Sequence, residues 1–150
     1  MNKFMNEAIN EAKKAFSEGE VPVGAVMVKD DEIVARAHNL CEQNQNPTHH
    51  AEMLAIEEAL RTLGAKNLSG CKLYVTLEPC AMCIGACALC KISAVYFGAY
   101  DTKSGACGGK CDVLREGCYD YKTEIYGGIE ESECKKILTD FFASIREDKS

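Results

Sequence analysis

No apolar run in this 150-residue sequence approaches the roughly 20 residues needed to cross a bilayer. The first residues, Met1-Asn2-Lys3-Phe4-Met5-Asn6-Glu7, lack the apolar stretch of a signal peptide. A membrane span is thereby excluded, and a cytoplasmic location is expected. Glycine and proline are not in excess, at 12 and 3 residues, while 47% of the chain is apolar and 27% charged. That balance belongs to a globular protein and argues against disorder. Repeats, linkers and low-complexity segments are missing too, so a single domain over 1–150 is expected, long enough to bury a core without disulfides.

A basic surplus is also absent. The net charge is −6, with 8 basic against 11 acidic side chains in residues 1–75 and 9 against 12 in residues 76–150. Nucleic-acid binders usually show a positive footprint, so a nucleic-acid substrate here must be held by a local patch or by shape. Cysteine is abundant, with ten residues. In a chain without an export signal these read as free thiols and metal ligands rather than a disulfide framework.

Met5, Ile9, Ala12 and Phe16 fall at helical spacing within residues 3–18, and Gly19 closes the run. Residues 23–28 and 32–37 are strand-like and flank the turn-forming pair Asp30-Asp31, which predicts a β-hairpin. A polar loop over 39–48 leads to a second helix starting near His49 and stopping at Gly64. Residues 72–77 read as a strand, Glu78-Pro79 as a turn with proline at a first helical position, and about 80–90 as a helix. A strand over 94–99, a Gly-rich loop over 100–110, a weaker strand over 123–126 and a helix over 131–146 complete the chain. This order predicts the α/β class, a mixed sheet covered by helices on both faces.

Two local patterns carry chemistry: His50-Ala51-Glu52 at the mouth of the second helix and Pro79-Cys80-Ala81-Met82-Cys83 at the mouth of the third. Helix starts projecting from one sheet edge converge, so one histidine and two cysteines can meet. A Cys₂His set leaves the fourth tetrahedral position open for water, the arrangement of catalytic rather than structural zinc. Zinc lowers the pKa of that water from nearly 16 towards roughly 7. Glu52 lies two residues beyond His50 and points round the helical turn, where a carboxylate can move protons from water to a ring nitrogen and to a leaving amine.

Either pattern alone is weak, since an ordinary helix often buries a cysteine. Together, in this order and with proline before the C-x-x-C, they point to a zinc-dependent hydrolytic deaminase acting on a nucleobase. His49 competes as a ligand, but the glutamate spacing favours His50. Cys87 and Cys90 form a second C-x-x-C. On one helix Cys80 and Cys90 stand about 15 Å apart, too far for one tetrahedral site, so the later pair reads as core. The spacing C-x₂-C-x₃-C-x₂-C also lacks the proline of the common ferredoxin pattern. Cys41, Cys71, Cys107, Cys111, Cys118 and Cys134 show no pairing and read as reduced.

The sequence resembles the cytidine deaminase-like superfamily, most closely its bacterial tRNA adenosine deaminases. The resemblance runs from about residue 4 to 146 through Glu20-Val21-Pro22-Val23-Gly24-Ala25, Ala37-His38-Asn39, Pro47-Thr48, His50-Ala51-Glu52, Leu73-Tyr74-Val75-Thr76-Leu77-Glu78-Pro79-Cys80, Phe97-Gly98-Ala99, Asp112-Val113-Leu114 and Asp140-Phe141-Phe142. It implies a three-layer αβα sandwich with a mixed sheet of about five strands, a homodimer and one zinc per subunit. The implied reaction is conversion of the wobble adenosine of a tRNA anticodon to inosine. The resemblance also implies that Asn39 hydrogen-bonds the purine, that Ala51 offers a backbone contact, and that Pro22, Val23 and Leu77 wall the pocket. Asp101 and Phe142 are implied to touch flanking nucleotides. Set against these are a turn Asn, a helix-cap Asp and an ordinary core Phe.

Tyr100, Gly108-Gly109-Lys110 and Asp120-Tyr121 depart from the family pattern. With the acidic balance, they keep open a free-base or nucleoside deaminase of guanine or cytosine type. A non-catalytic zinc or RNA-binding module is the alternative from another class, and Glu52 argues against it. Lys103, Lys110, Arg115 and Lys122 are expected to form a local basic patch that grips phosphates.

Overall fold

The computed structural model describes residues 1–148; Lys149 and Ser150, the last two residues of the domain expected over 1–150, lie outside the described residues. Nine elements follow one another: α1 (Lys3–Ser17), β1 (Gly24–Lys29), β2 (Glu32–His38), α2 (Ala51–Leu63), β3 (Lys72–Leu77), α3 (Ala81–Leu89), β4 (Ala94–Ala99), β5 (Glu124–Tyr126) and α4 (Glu131–Asp148). The strands form one sheet of order β2-β1-β3-β4-β5. β1 runs antiparallel to β2 and β3, whereas β3, β4 and β5 are parallel, so the sheet is mixed.

Side-chain alternation along the central strands separates two apolar layers. Ala25, Met27, Leu73 and Val75 face α2 and α3, whose Ala51, Ala55, Ala59, Ile84 and Cys87 complete one core. Val26, Val28 and Tyr74 face the other way and pack with Met5, Ala8 and Ile9 of α1 and Cys134 of α4. The result is the three-layer αβα sandwich that the resemblance implied. Among the described residues, no helix is long and apolar enough to cross a membrane.

The chain turns where its residues require it. After α1, Glu20 N–H bonds the Ala15 carbonyl at 3.0 Å and Gly19 N–H bonds the Phe16 carbonyl at 3.1 Å, with Gly19 at φ 78°. This is a glycine-dependent helix stop that satisfies two end carbonyls. At the hairpin, Asp30 and Asp31 both adopt positive φ, 51° and 61°, the backbone that a two-residue turn between twisted strands needs. Gly24 meets the helix layer above it. A Cβ at that position would collide with the Ala8 carbonyl oxygen and the Ala12 amide nitrogen, so α1 rests backbone to backbone on β1.

Candidate metal and catalytic site

The site forms where α2 and α3 begin. His50 is the N-cap of α2 and Cys80 the N-cap of α3, both with extended backbone and neither with a side-chain hydrogen bond to its own helix. Cap positions usually hold Ser, Thr, Asp or Asn for that bond. Here the two side chains turn towards each other instead. His50 Nδ1 lies 3.7 Å from Cys80 Sγ and 3.5 Å from Cys83 Sγ, which sits one turn into α3. Pro79 was expected at the first helical position, but it stands one residue ahead of the cap, because Cys80 takes that place.

His50, Cys80 and Cys83 are the group among the described residues whose ligand atoms gather within 4.8 Å of one another. Tetrahedral zinc bonds of about 2.3 Å to sulfur and about 2.05 Å to nitrogen give an N···S edge of about 3.6 Å, so the triangle is already of the right size. The protonation chemistry suits a soft cation. A hydrogen bond from the Cys83 thiol, working against burial and helped by His50, brings the Cys80 thiol down to about 4. The Cys80 sulfur and burial hold the Cys83 proton in place, and the Cys80 sulfur also raises His50. Thiolate with imidazole is a donor set that favours zinc over hard cations.

Glu52 is buried at the second position of α2. Burial pushes its carboxyl up to about 7; a bond from its own backbone N–H, the His50 ring and the Cys83 thiol pull the other way, and Cys80 adds to the rise. A carboxyl near neutrality both takes and returns a proton readily.

Glu52, His50, Ala51 and Cys80 open into one cavity of about 310 Å³, also lined by Glu20, Val21, Val23, Asn39, Cys41, Glu42, Leu77, Glu78, Asp101 and Ser104. Val23, Asn39, Ala51, Leu77 and Asp101 are thus all on its wall. Pro22 does not line it: alternation along the extended segment before β1 turns Val21 and Val23 to the cavity and buries Pro22 behind them. Asn39 has a local task as well, its Oδ1 accepting from Cys41 N–H at 3.2 Å and its Nδ2 donating to the Val21 carbonyl at 3.3 Å. One amide hydrogen remains for a ligand. Phe142 is apart, half-exposed on α4 in a separate hollow with Tyr100, Thr102 and Lys135.

The competing readings resolve in the geometry. His49 has its ring nitrogens beside the Asn44 and Asn46 amides at 2.9 and 3.0 Å, outside the metal triangle. Cys87 is fully buried in the core and Cys90 packs against it. Two further carboxylates of the cavity wall, Glu20 and Glu78, had no role in the sequence reading. Glu20 accepts the N–H groups of Glu42 and Gln43 at 3.0 and 2.7 Å and so pins the loop after β2. Glu78 does the same for the loop after β4.

Residues 1–99 match the family model of the cytidine and deoxycytidylate deaminase zinc-binding region. A tRNA-specific adenosine deaminase of Bacillus subtilis (strain 168) is 49% identical over 97% of this chain and 91% of that protein. Among solved structures, one from work on A-to-I editing by tRNA:A34 deaminases at the wobble position superposes with a TM-score of 0.86 at 39% identity, covering 91% of this chain and 99% of the other. A guanine deaminase from Bacillus subtilis gives 0.64 at 36% identity over 80% of this chain and 73% of that one. The chain thus belongs to the zinc-binding cytidine and deoxycytidylate deaminase family, on the branch of the tRNA-specific adenosine deaminases, and carries one zinc per subunit.

Proposed function

We propose that this chain converts the wobble adenosine of a tRNA anticodon to inosine, with His50, Cys80 and Cys83 as the zinc ligands and Glu52 as the proton carrier. The observation that carries the chemistry is the shared cavity, into which the buried Glu52 and the ligands His50 and Cys80 all open. When bound, zinc supplies Lewis acidity and a water of lowered pKa at an open fourth position. Glu52 takes a proton from the attacking water and delivers it to N1 of the purine as the oxygen joins C6. The second water proton reaches the amino nitrogen by the same carboxylate, the C6–N bond breaks, and ammonia leaves with inosine behind it. Atoms balance as adenosine plus water giving inosine plus ammonia.

Val23 and Leu77 clasp the base, the spare Asn39 amide hydrogen faces it, and Ala51 offers its backbone. Asp101, at the cavity edge, and Phe142, in its own hollow, take the flanking nucleotides. Lys103, Lys110, Arg115 and Lys122 are all exposed, and among the described residues none of them forms an ion pair. Unneutralised exposed cations suit a phosphate backbone despite the negative net charge. A homodimer fits the apolar α3, whose Leu89 is 70% exposed, and a tRNA substrate fits a cytoplasmic location.

The likeness to a guanine deaminase gives a second reading, a free-base deaminase on the same zinc chemistry. Zinc-loaded protein incubated with an adenosine-containing anticodon stem-loop and, separately, with adenosine, guanine and cytidine separates the two. Inosine only in the stem-loop supports the tRNA reading. Turnover only of a base or nucleoside replaces it with the second, and no turnover of any substrate by the zinc-loaded chain leaves a non-catalytic zinc or RNA-binding module.

A further inference from the structure

Glu78 follows β3, precedes Pro79 and is 3% exposed. Its carboxylate accepts three backbone N–H groups: Asp101 on Oε1 at 2.9 Å, and Cys107 and Gly109 on Oε2 at 3.0 and 2.8 Å. Such donors replace the water that a buried carboxylate loses. All three belong to the loop after β4, and that loop has two more ties to the same stretch of chain. Ala106 N–H bonds the Pro79 carbonyl at 2.9 Å, and Gly105 pairs with Cys80 in an isolated bridge.

The loop's sequence is cut to fit the carboxylate. At Gly105 and at Gly109, a Cβ would land on the Glu78 carboxylate and on the Asp101 carbonyl oxygen. Asp101 in turn uses Oδ1 to accept the N–H groups of Lys103 and Ser104 at 2.9 and 3.1 Å. The tight turn that presents Asp101 and Ser104 to the cavity therefore hangs from Glu78. Side-chain oxygens of Glu78 and Asp101 hold this wall together with the backbone ties of Ala106 to Pro79 and of Gly105 to Cys80.

We propose that Glu78 is a positioning residue for the substrate: by holding the loop after β4 through three backbone amides, it sets the wall formed by Asp101 and Ser104. This rests on the reading of the cavity as the substrate site. Glu78 takes no part in proton transfer at Glu52, so its loss weakens substrate binding and leaves the chemical step. A glutamine is the sharpest probe, because its single oxygen accepts while its NH₂ faces a backbone N–H.

The test compares zinc-loaded wild type with Glu78→Gln, with Gly105→Ala, which disturbs the same contact from the loop side, and with the double variant. Zinc content, kcat and KM on whichever substrate wild type turns over, and amide hydrogen exchange are measured. The role predicts a KM raised about tenfold in Glu78→Gln, with kcat nearly unchanged and one zinc per chain. It also predicts faster exchange at Asp101, Cys107 and Gly109 without change in β3 and β4, and a double variant no worse than the worse single. An unchanged KM in both single variants overturns the role, and so does zinc loss with a fall in kcat, which would attach Glu78 to the metal site. Should Glu78→Gln not fold, the KM of Gly105→Ala decides. If wild type acts only on a free base, the tRNA reading fails, while KM for that base still tests the wall.

Discussion

His50 and Cys80 each begin a helix, lie 30 residues apart in sequence, and bring Nδ1 and Sγ to 3.7 Å. Both caps forgo their own side-chain hydrogen bond, which elsewhere stabilises a helix start by about 1 kcal/mol. In the proposed function, zinc ligation by the two side chains offsets that loss. Cys83→Ala, which removes the third corner, is expected to lose the metal and nearly all turnover and to unfold at lower temperature than the zinc-loaded parent. Metal analysis with thermal unfolding checks this; a zinc-loaded Cys83→Ala protein would remove Cys83 from the ligand set.

Glu52→Gln keeps the shape of the side chain and removes its proton exchange. Its kcat is expected to fall by about 10²–10⁴ with zinc still at one per chain. Single-turnover kinetics beside metal analysis reads both, and turnover at the parental rate would rule out the proton-carrier role.

Much of the site is legible in the sequence because the informative residues coincide with helix starts. Pro47-Thr48 and Glu78-Pro79 announce those starts, and the H-x-E and C-x-x-C patterns occupy them. The hairpin is equally local, since Asp30-Asp31 tolerates the positive φ that it needs. What stays hidden depends on partners far along the chain. Glu20 and Glu78 bond amides 22 to 31 residues away, in loops without periodicity, and no spacing rule reaches that far. Pro22, buried and not among the lining residues, shows a subtler limit: a one-residue difference in alternation decides between wall and backing. At the weak edge strand, Thr123 gives its hydroxyl to the Ile92 carbonyl at 2.8 Å, and regular pairing starts one residue later, at Glu124.

Cys87 tests the separation of the two C-x-x-C pairs. It is fully buried between α3 and the sheet, so Cys87→Ala is expected to lower stability by about 1 kcal/mol and leave zinc content untouched. Denaturant unfolding and metal analysis measure the two quantities; loss of zinc would tie the second pair to the metal.

Gly24 tests the contact of α1 with β1. Because a Cβ there meets helix backbone rather than a movable side chain, Gly24→Ala is expected to cost about 1–3 kcal/mol or more in urea unfolding. A neutral effect would mean that α1 slides freely on the sheet.

The four exposed cations give a salt signature. Replacing Lys103, Lys110, Arg115 and Lys122 together by Ala is expected to flatten the dependence of log affinity on log salt by about 3 for a single-stranded loop. Fluorescence anisotropy with a labelled stem-loop at several salt concentrations measures the slope, and an unchanged affinity and slope would exclude the patch from RNA binding.

The most direct test of the whole account is to give zinc-loaded protein two anticodon stem-loops that differ only in whether adenosine stands at the wobble position or elsewhere in the loop, and to quantify inosine and ammonia together. The account predicts equal amounts of both products from the wobble substrate and neither from the other. Inosine and ammonia from both stem-loops alike, or from neither, would contradict it.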